Sequence, residues 1–319
     1  MLSPLAFSLA CVSNPAAESP KSVSTSVSHR FLGSRAEGLC LVLFTACSWG
    51  AAWPQTKFLL GQLPPFAMRT LCGSCGFLFA VAVAVARGEH LLPPKDQWGR
   101  LFLFAMLNYG VYIVLSTETQ VYLPSSEAIV ITYTLPIWGS LLAWPLLGER
   151  PSWRQLLALV LAVGGVALLV GVGSVEARWD ELPGVAMGLM AAVLFGLGAV
   201  LAKRTPLQMP PATSVAWQVA LGTALLAVLA SFETPDWSRV TPAGWACVAF
   251  VATIPMTVAY LAWFRALRLV PASVAATTVL VSPMVGVLLS TLVLGETLGP
   301  RQIVGLGLTL TGVAIAARG

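Results

Sequence analysis

The sequence predicts an all-α membrane protein of ten transmembrane helices, built as two inverted five-helix repeats. Three observations predict it. Over 319 residues the chain is 57% hydrophobic and 10% charged, with a mean hydropathy of +0.83, which is more apolar surface than a soluble fold can hide. From Leu39 onward, apolar stretches alternate with short breaks rich in Pro, Gly and charge; each stretch is about 20 residues, enough at ~1.5 Å per residue to cross a ~30 Å hydrocarbon core. Finally, the chain repeats itself at a constant shift of 147 positions.

Residues 1–38 are a different material. Ser, Pro and Ala dominate, and Ser13 to Ser28 shows no apolar period, so the segment is expected to be disordered. The apolar run from Leu5 to Cys11 has no basic residues ahead of it, which argues against a signal peptide. The first repeat, 39–173, is expected to hold spans at 39–59, 65–86, 100–121, 125–147 and 153–172. The second, 182–317, is expected to hold spans at 182–202, 210–231, 242–263, 272–294 and 301–317.

Charge gives the orientation. With ten spans and a cytoplasmic N-terminus, only Lys57, Arg69, Arg178, Arg239 and Arg301 fall on the outer side; the other 13 of the 18 cations fall inside. Both termini are therefore expected in the cytoplasm of a cell whose inner (plasma) membrane holds the chain, by the excess of Lys and Arg on cytoplasmic loops. The net charge of +5 is thus a loop property, and a nucleic-acid partner is excluded.

The repeat is specific in its residues. Sliding 124–169 onto 271–316 pairs Pro124 with Pro271, Ser126 with Ser273, Pro136 with Pro283, Gly148-Glu149 with Gly295-Glu296, Arg154-Gln155 with Arg301-Gln302 and Gly165 with Gly312, without a gap over 46 positions. Upstream, a shift of 146 pairs Pro64-Pro65 with Pro210-Pro211, Gly50 with Gly196 and Lys57 with Lys203. Because five spans is an odd number, the second half enters from the opposite side, which is the inverted-repeat plan of secondary transporters.

Enzyme chemistry finds no foothold. His29 and His90 lie outside the spans, and no HExxH, GxSxG or DxD-like motif occurs. Cys72 and Cys75 form a lone CxxC with no second pair and no histidine, so no metal, cofactor or disulfide framework is implied. A channel or a sensor remains as the alternative to a carrier.

Ser48-Trp49-Gly50 in the first span, Leu63-Pro64-Pro65 with Arg69 opening the second, Pro136 in the fourth, Leu147-Gly148-Glu149 at its end, and the echoes Pro283 and Leu294-Gly295-Glu296 form an ordered, duplicated pattern. Over residues 39–317 it resembles the EamA-type members of the drug/metabolite transporter superfamily. The resemblance implies a ten-helix, exporter-like carrier with a central cavity lined mainly by helices 1, 3, 4, 6, 8 and 9. It implies a small-molecule substrate such as an amino acid or an amine, moved by alternating access, with proton coupling as one option. The partners are that substrate and the lipid bilayer, and a homodimer is compatible with the plan.

Within the expected cavity helices the aromatic and polar residues share faces. Tyr109, Tyr112 and Ser116 follow helical spacing, Ser126, Tyr133 and Ser140 recur every seven residues, Tyr260 and Trp263 are three apart, and Trp49 joins from the first span. Trp49, Tyr109, Tyr112, Ser116, Tyr133, Tyr260 and Trp263 are the expected substrate-cavity residues; an aromatic belt is the competing reading, but belts sit at span ends. Pro136 and Pro283 lie within spans, where each removes a backbone hydrogen bond; a hinge is expected there, against a static packing kink. Glu149 and Glu296 read as caps or loop structure. Arg69, Glu118 and Glu127 share a depth within about 6 Å of the outer boundary, and are expected to form an outer gate, against a static ion pair or exposure to interfacial water.

Overall fold

A computed structural model of the chain describes residues 24–148, 150, 152–170, 179–266, 268–270, 278 and 281–318. Expectations for residues 1–23, for Glu149 and for Pro271 and Ser273 lie outside the described residues. All regular structure among the described residues is helical, with no strand.

The chain runs through α1 (Ser24–Leu60) and α2 (Pro65–Ala86), then α3 (Trp98–Ala105), a π-helical turn at Met106–Gly110 and α4 (Val111–Tyr122). α5 (Ser125–Thr132), α6 (Leu135–Leu147) and α7 (Trp153–Val170) complete the first repeat. α8 (Leu182–Arg204), α9 (Pro211–Ala230), α10 (Pro242–Thr253), a second π turn at Ile254–Val258, α11 (Ala259–Ala266), α12 (Val281–Leu294) and α13 (Pro300–Arg318) form the second. Among the described residues, seven helices are long and apolar enough to cross a membrane, and Leu156–Leu168 and Val281–Leu294 are shorter apolar helices.

α1 begins at Ser24, within the segment expected to be disordered, and Glu37 meets Arg265 of α11 with 2.6 Å between Oε1 and Nη2.

The surface is inside-out relative to a soluble protein. Leu78, Leu92, Val160, Phe232 and Leu292 are exposed, whereas Thr45, Thr117, Thr119, Ser126 and Thr132 are fully buried. Large apolar side chains outside and small polar ones between helices suit a chain whose solvent is lipid.

Helix starts are built alike in both repeats. α2 and α9 each begin with proline at the first position, where its missing N–H costs no intrahelical bond. Their remaining free amides are capped across the repeats: Glu233, after α9, accepts from the N–H groups of Phe66 (3.1 Å) and Ala67 (2.6 Å), while Glu89, after α2, accepts from the N–H of Thr213 at 2.9 Å. Glu296 caps α5, accepting from the N–H groups of Ser125 (2.7 Å) and Ser126 (3.0 Å). Gly148 and Gly295, one repeat apart, end α6 and α12 with φ of 75° and 68°, the left-handed cap that glycine enters without strain.

The close helix crossings are also reciprocal. A side-chain carbon on Gly50 of α1 would collide with the Ser282 carbonyl and lie 3.2 Å from the Gly286 nitrogen in α12. Correspondingly, one on Gly196 of α8 would lie 2.8 Å from the Gly139 nitrogen and 3.2 Å from the Leu135 carbonyl in α6. The same exchange joins α7 and α13, where a carbon on Gly165 would lie 2.6 Å from the Gly305 carbonyl and one on Gly312 would lie 2.6 Å from the Ala158 carbonyl. In each pair, the second contact is the first with the two repeats interchanged.

Candidate functional site

Where the two repeats meet, a cavity of about 330 Å³ opens between α1, α2, α4, α6, α8 and α11. Its size lies at the small end of ligand pockets, which run about 300–1,000 Å³. The structure places all seven expected cavity residues on its wall, Trp49, Tyr109, Tyr112, Ser116, Tyr133, Tyr260 and Trp263.

The backbone explains how they converge. Tyr109 sits in the π turn that interrupts the third apolar segment, and Pro255 and Met256 sit in the corresponding π turn of the eighth. A π turn adds a residue to the helical register and swings the side chains beyond it. Trp49 donates its indole N–H to the Pro255 carbonyl at 3.1 Å and packs its ring 5.2 Å from Tyr260 and 5.9 Å from Trp263. The Tyr109 hydroxyl lies 3.7 Å from Met256 sulfur, Tyr112 packs 4.9 Å from Phe195, and the Ser116 hydroxyl turns back to the Ile113 carbonyl at 3.3 Å.

Pro136 and Pro283 part company. The segment 125–147 is broken at Tyr133–Thr134, and Pro136 stands in the first turn of α6, on the cavity wall. Pro283 is buried in α12 and is not among the residues lining the cavity. It is connected to the cavity through its neighbour: the Tyr133 hydroxyl donates to Ser282 Oγ at 2.7 Å, and Ser282 Oγ donates to the Ala46 carbonyl at 2.7 Å.

The three residues expected at the outer gate are placed as follows. Arg69 is buried at 6% exposure, lines the cavity, and donates through Nε to Thr117 Oγ1 at 2.7 Å, rather than to Glu118 or Glu127. Glu118 is half-buried and Glu127 is buried in α5. Shared depth along a helix axis is legible from residue counts, but the direction a side chain takes around that axis is not.

Several wall residues escape the sequence reading. Trp53 follows Trp49 by one turn and its ring lies 6.5 Å from Tyr133, so i,i+4 spacing could have found it. Asn108, Gln120 and Phe195 also line the cavity; the first two are polar residues within an apolar span, a usable signal, whereas Phe195 in its run of Leu, Val and Ala has none.

A family model described as the EamA-like transporter family matches residues 36–171 and again 182–318. An uncharacterized transporter of Bacillus subtilis (strain 168), YvbV, is 27% identical over 277 residues, covering 86% of this chain and 90% of its own. A protein of Streptantibioticus cattleyicolor named "Probable terminal-alkyne amino-acid exporter" is 26% identical over 285 residues, covering 87% of this chain and 92% of its own. One crystal structure aligns with a TM-score of 0.63 at 19% identity over 88% of this chain and 96% of that one, a likeness of fold alone. With two matches that together span both repeats, and relatives named as transporters along nearly the whole chain, the protein belongs to the EamA-like transporter family of multi-pass membrane proteins and takes a small-molecule substrate rather than catalysing a reaction.

Proposed function

We propose that the chain is a ten-span secondary transporter that exports a small metabolite, such as an amino acid or an amine, by alternating access across the inner (plasma) membrane, with both termini cytoplasmic. The observation that carries it is the aromatic cavity walled by both repeats: Trp49, Tyr112 and Tyr133 come from the first, Phe195, Tyr260 and Trp263 from the second. The seven long apolar helices become ten spans with α7, the segment ending in α12, and α13.

The reciprocal contacts support halves that are inverted copies. Interchanging the halves then gives a second state of similar energy, facing the other side of the membrane. Tyr133 and Pro136, at the break between α5 and α6, are the proposed hinge on the first half, and Pro283 beside Ser282 on the second. The hydroxyl link from Tyr133 to Ser282 couples the two.

Counterflow in proteoliposomes tests the proposal. With a panel of labelled amino acids and amines, the carrier accumulates label transiently when loaded with unlabelled substrate and saturates with concentration. Pro136→Ala, which restores an amide at the break, is expected to slow counterflow several-fold while expression and monodispersity stay unchanged. Non-saturating flux without counterflow would make the protein a channel.

A further inference from the structure

Among the described residues, Arg69 is the only charged one on the cavity wall. It is held there by a single hydrogen bond from Nε to Thr117, a residue that is itself fully buried, and its two Nη groups have no hydrogen-bond acceptor among the described residues. Among the described residues, no Asp or Glu lines the cavity. A buried guanidinium without a carboxylate costs several kcal/mol of lost hydration unless something pairs with it, and an intramembrane ion of this kind marks a binding site by default.

The rest of the wall says what kind of partner fits. Eight aromatic side chains surround the space, Trp49, Trp53, Tyr109, Tyr112, Tyr133, Phe195, Tyr260 and Trp263, so the body of the ligand meets rings over most of its surface. The polar wall groups Asn108, Ser116 and Gln120 are neutral.

Resting on the transporter reading above, we infer that Arg69 is the anion-binding residue of the substrate site, and that the substrate is a small carboxylate with an apolar or aromatic body. Thr117 fixes the guanidinium by taking Nε, which leaves the Nη edge to form charge-assisted hydrogen bonds with the carboxylate. The aromatic cage excludes water from that pair and receives the body. An amine lacking a carboxylate meets an unbalanced positive charge and is disfavoured, which narrows the substrate from amino acids and amines to the carboxylate-bearing class.

Binding to the purified full chain tests this independently of transport, because Trp49, Trp53 and Trp263 on the wall report occupancy by their fluorescence. The probes are 3-phenylpropionate and L-phenylalanine, against phenethylamine and L-phenylalaninamide, which lack the carboxylate. Wild type is expected to bind the two carboxylates at least about tenfold more tightly than the two cations. Arg69→Gln should weaken carboxylate binding about thirtyfold without weakening the cations, and Arg69→Lys should recover part of the loss as a point charge. Thr117→Val, which frees Nε but leaves the charge, should weaken carboxylates only a few-fold. Absence of carboxylate binding, tighter binding of the amines, or an equal loss for all four probes in a monodisperse Arg69→Lys protein would overturn the inference. Carboxylate binding that depends on Arg69 but gives no counterflow would instead leave this site standing and remove the transporter reading.

Discussion

Gly196→Val is expected to destabilise the protein by about 3 kcal/mol, the upper part of the range for overpacking a close contact, whereas Gly164→Ala should be neutral or stabilising by up to about 1 kcal/mol. Both residues lie within apolar helices, so propensity alone favours both substitutions. They differ in what the new carbon meets. At Gly196 it meets backbone, the Gly139 nitrogen at 2.8 Å and the Leu135 carbonyl at 3.2 Å, and backbone in a packed helix cannot turn aside as a side chain can. At Gly164 nothing among the described residues lies within 4 Å. Gly50→Val, its counterpart in the first repeat, should behave like Gly196→Val, since the Ser282 carbonyl stands in its way. Thermal inactivation in detergent, read by the monodisperse fraction, compares the three; equal stability of all three would mean that these crossings are not tight.

Glu296→Ala carries the second large effect, a loss of about 2 kcal/mol. Its carboxylate satisfies two of the free amides that open α5, and a negative charge at a helix start gains from the helix dipole as well. In lipid an uncapped amide has no water to replace the lost partner, which places the effect at the upper end of the capping range. Glu296→Gln keeps an acceptor but not the charge and should recover about half. The same thermal measurement checks it; no difference between wild type and Glu296→Ala would show that other groups satisfy Ser125 and Ser126.

The sequence reading reached furthest where periodicity governs. Tyr109, Tyr112 and Ser116 share a face because three- and four-residue steps return to the same side of a helix, and the structure sets all three on the cavity wall. Glu296 was read as a cap or loop residue at its own helix end, but that it reaches the start of α5, 171 residues away, was not legible. Arg69 was legible as a buried cation but not in its direction: three residues at one depth suggested an ion pair, and the rotation of α2 points the guanidinium to Thr117 and the cavity. The caps from Glu89 and Glu233 were not legible at all. Each spans more than 100 residues between repeats, and no local pattern encodes which loop arrives at which helix start.

The central claim is that the two repeats are inverted copies, so that equivalent loops lie on opposite faces of the membrane. Arg87 ends α2 and Arg239 lies in the corresponding connection after α9. In a chain freed of its six cysteines, Arg87→Cys and Arg239→Cys can each be treated with a membrane-impermeant thiol reagent, in intact cells and in inside-out vesicles. The inverted plan predicts labelling at position 239 only from outside and at position 87 only from the cytoplasmic side. Labelling of both positions from the same side would contradict it.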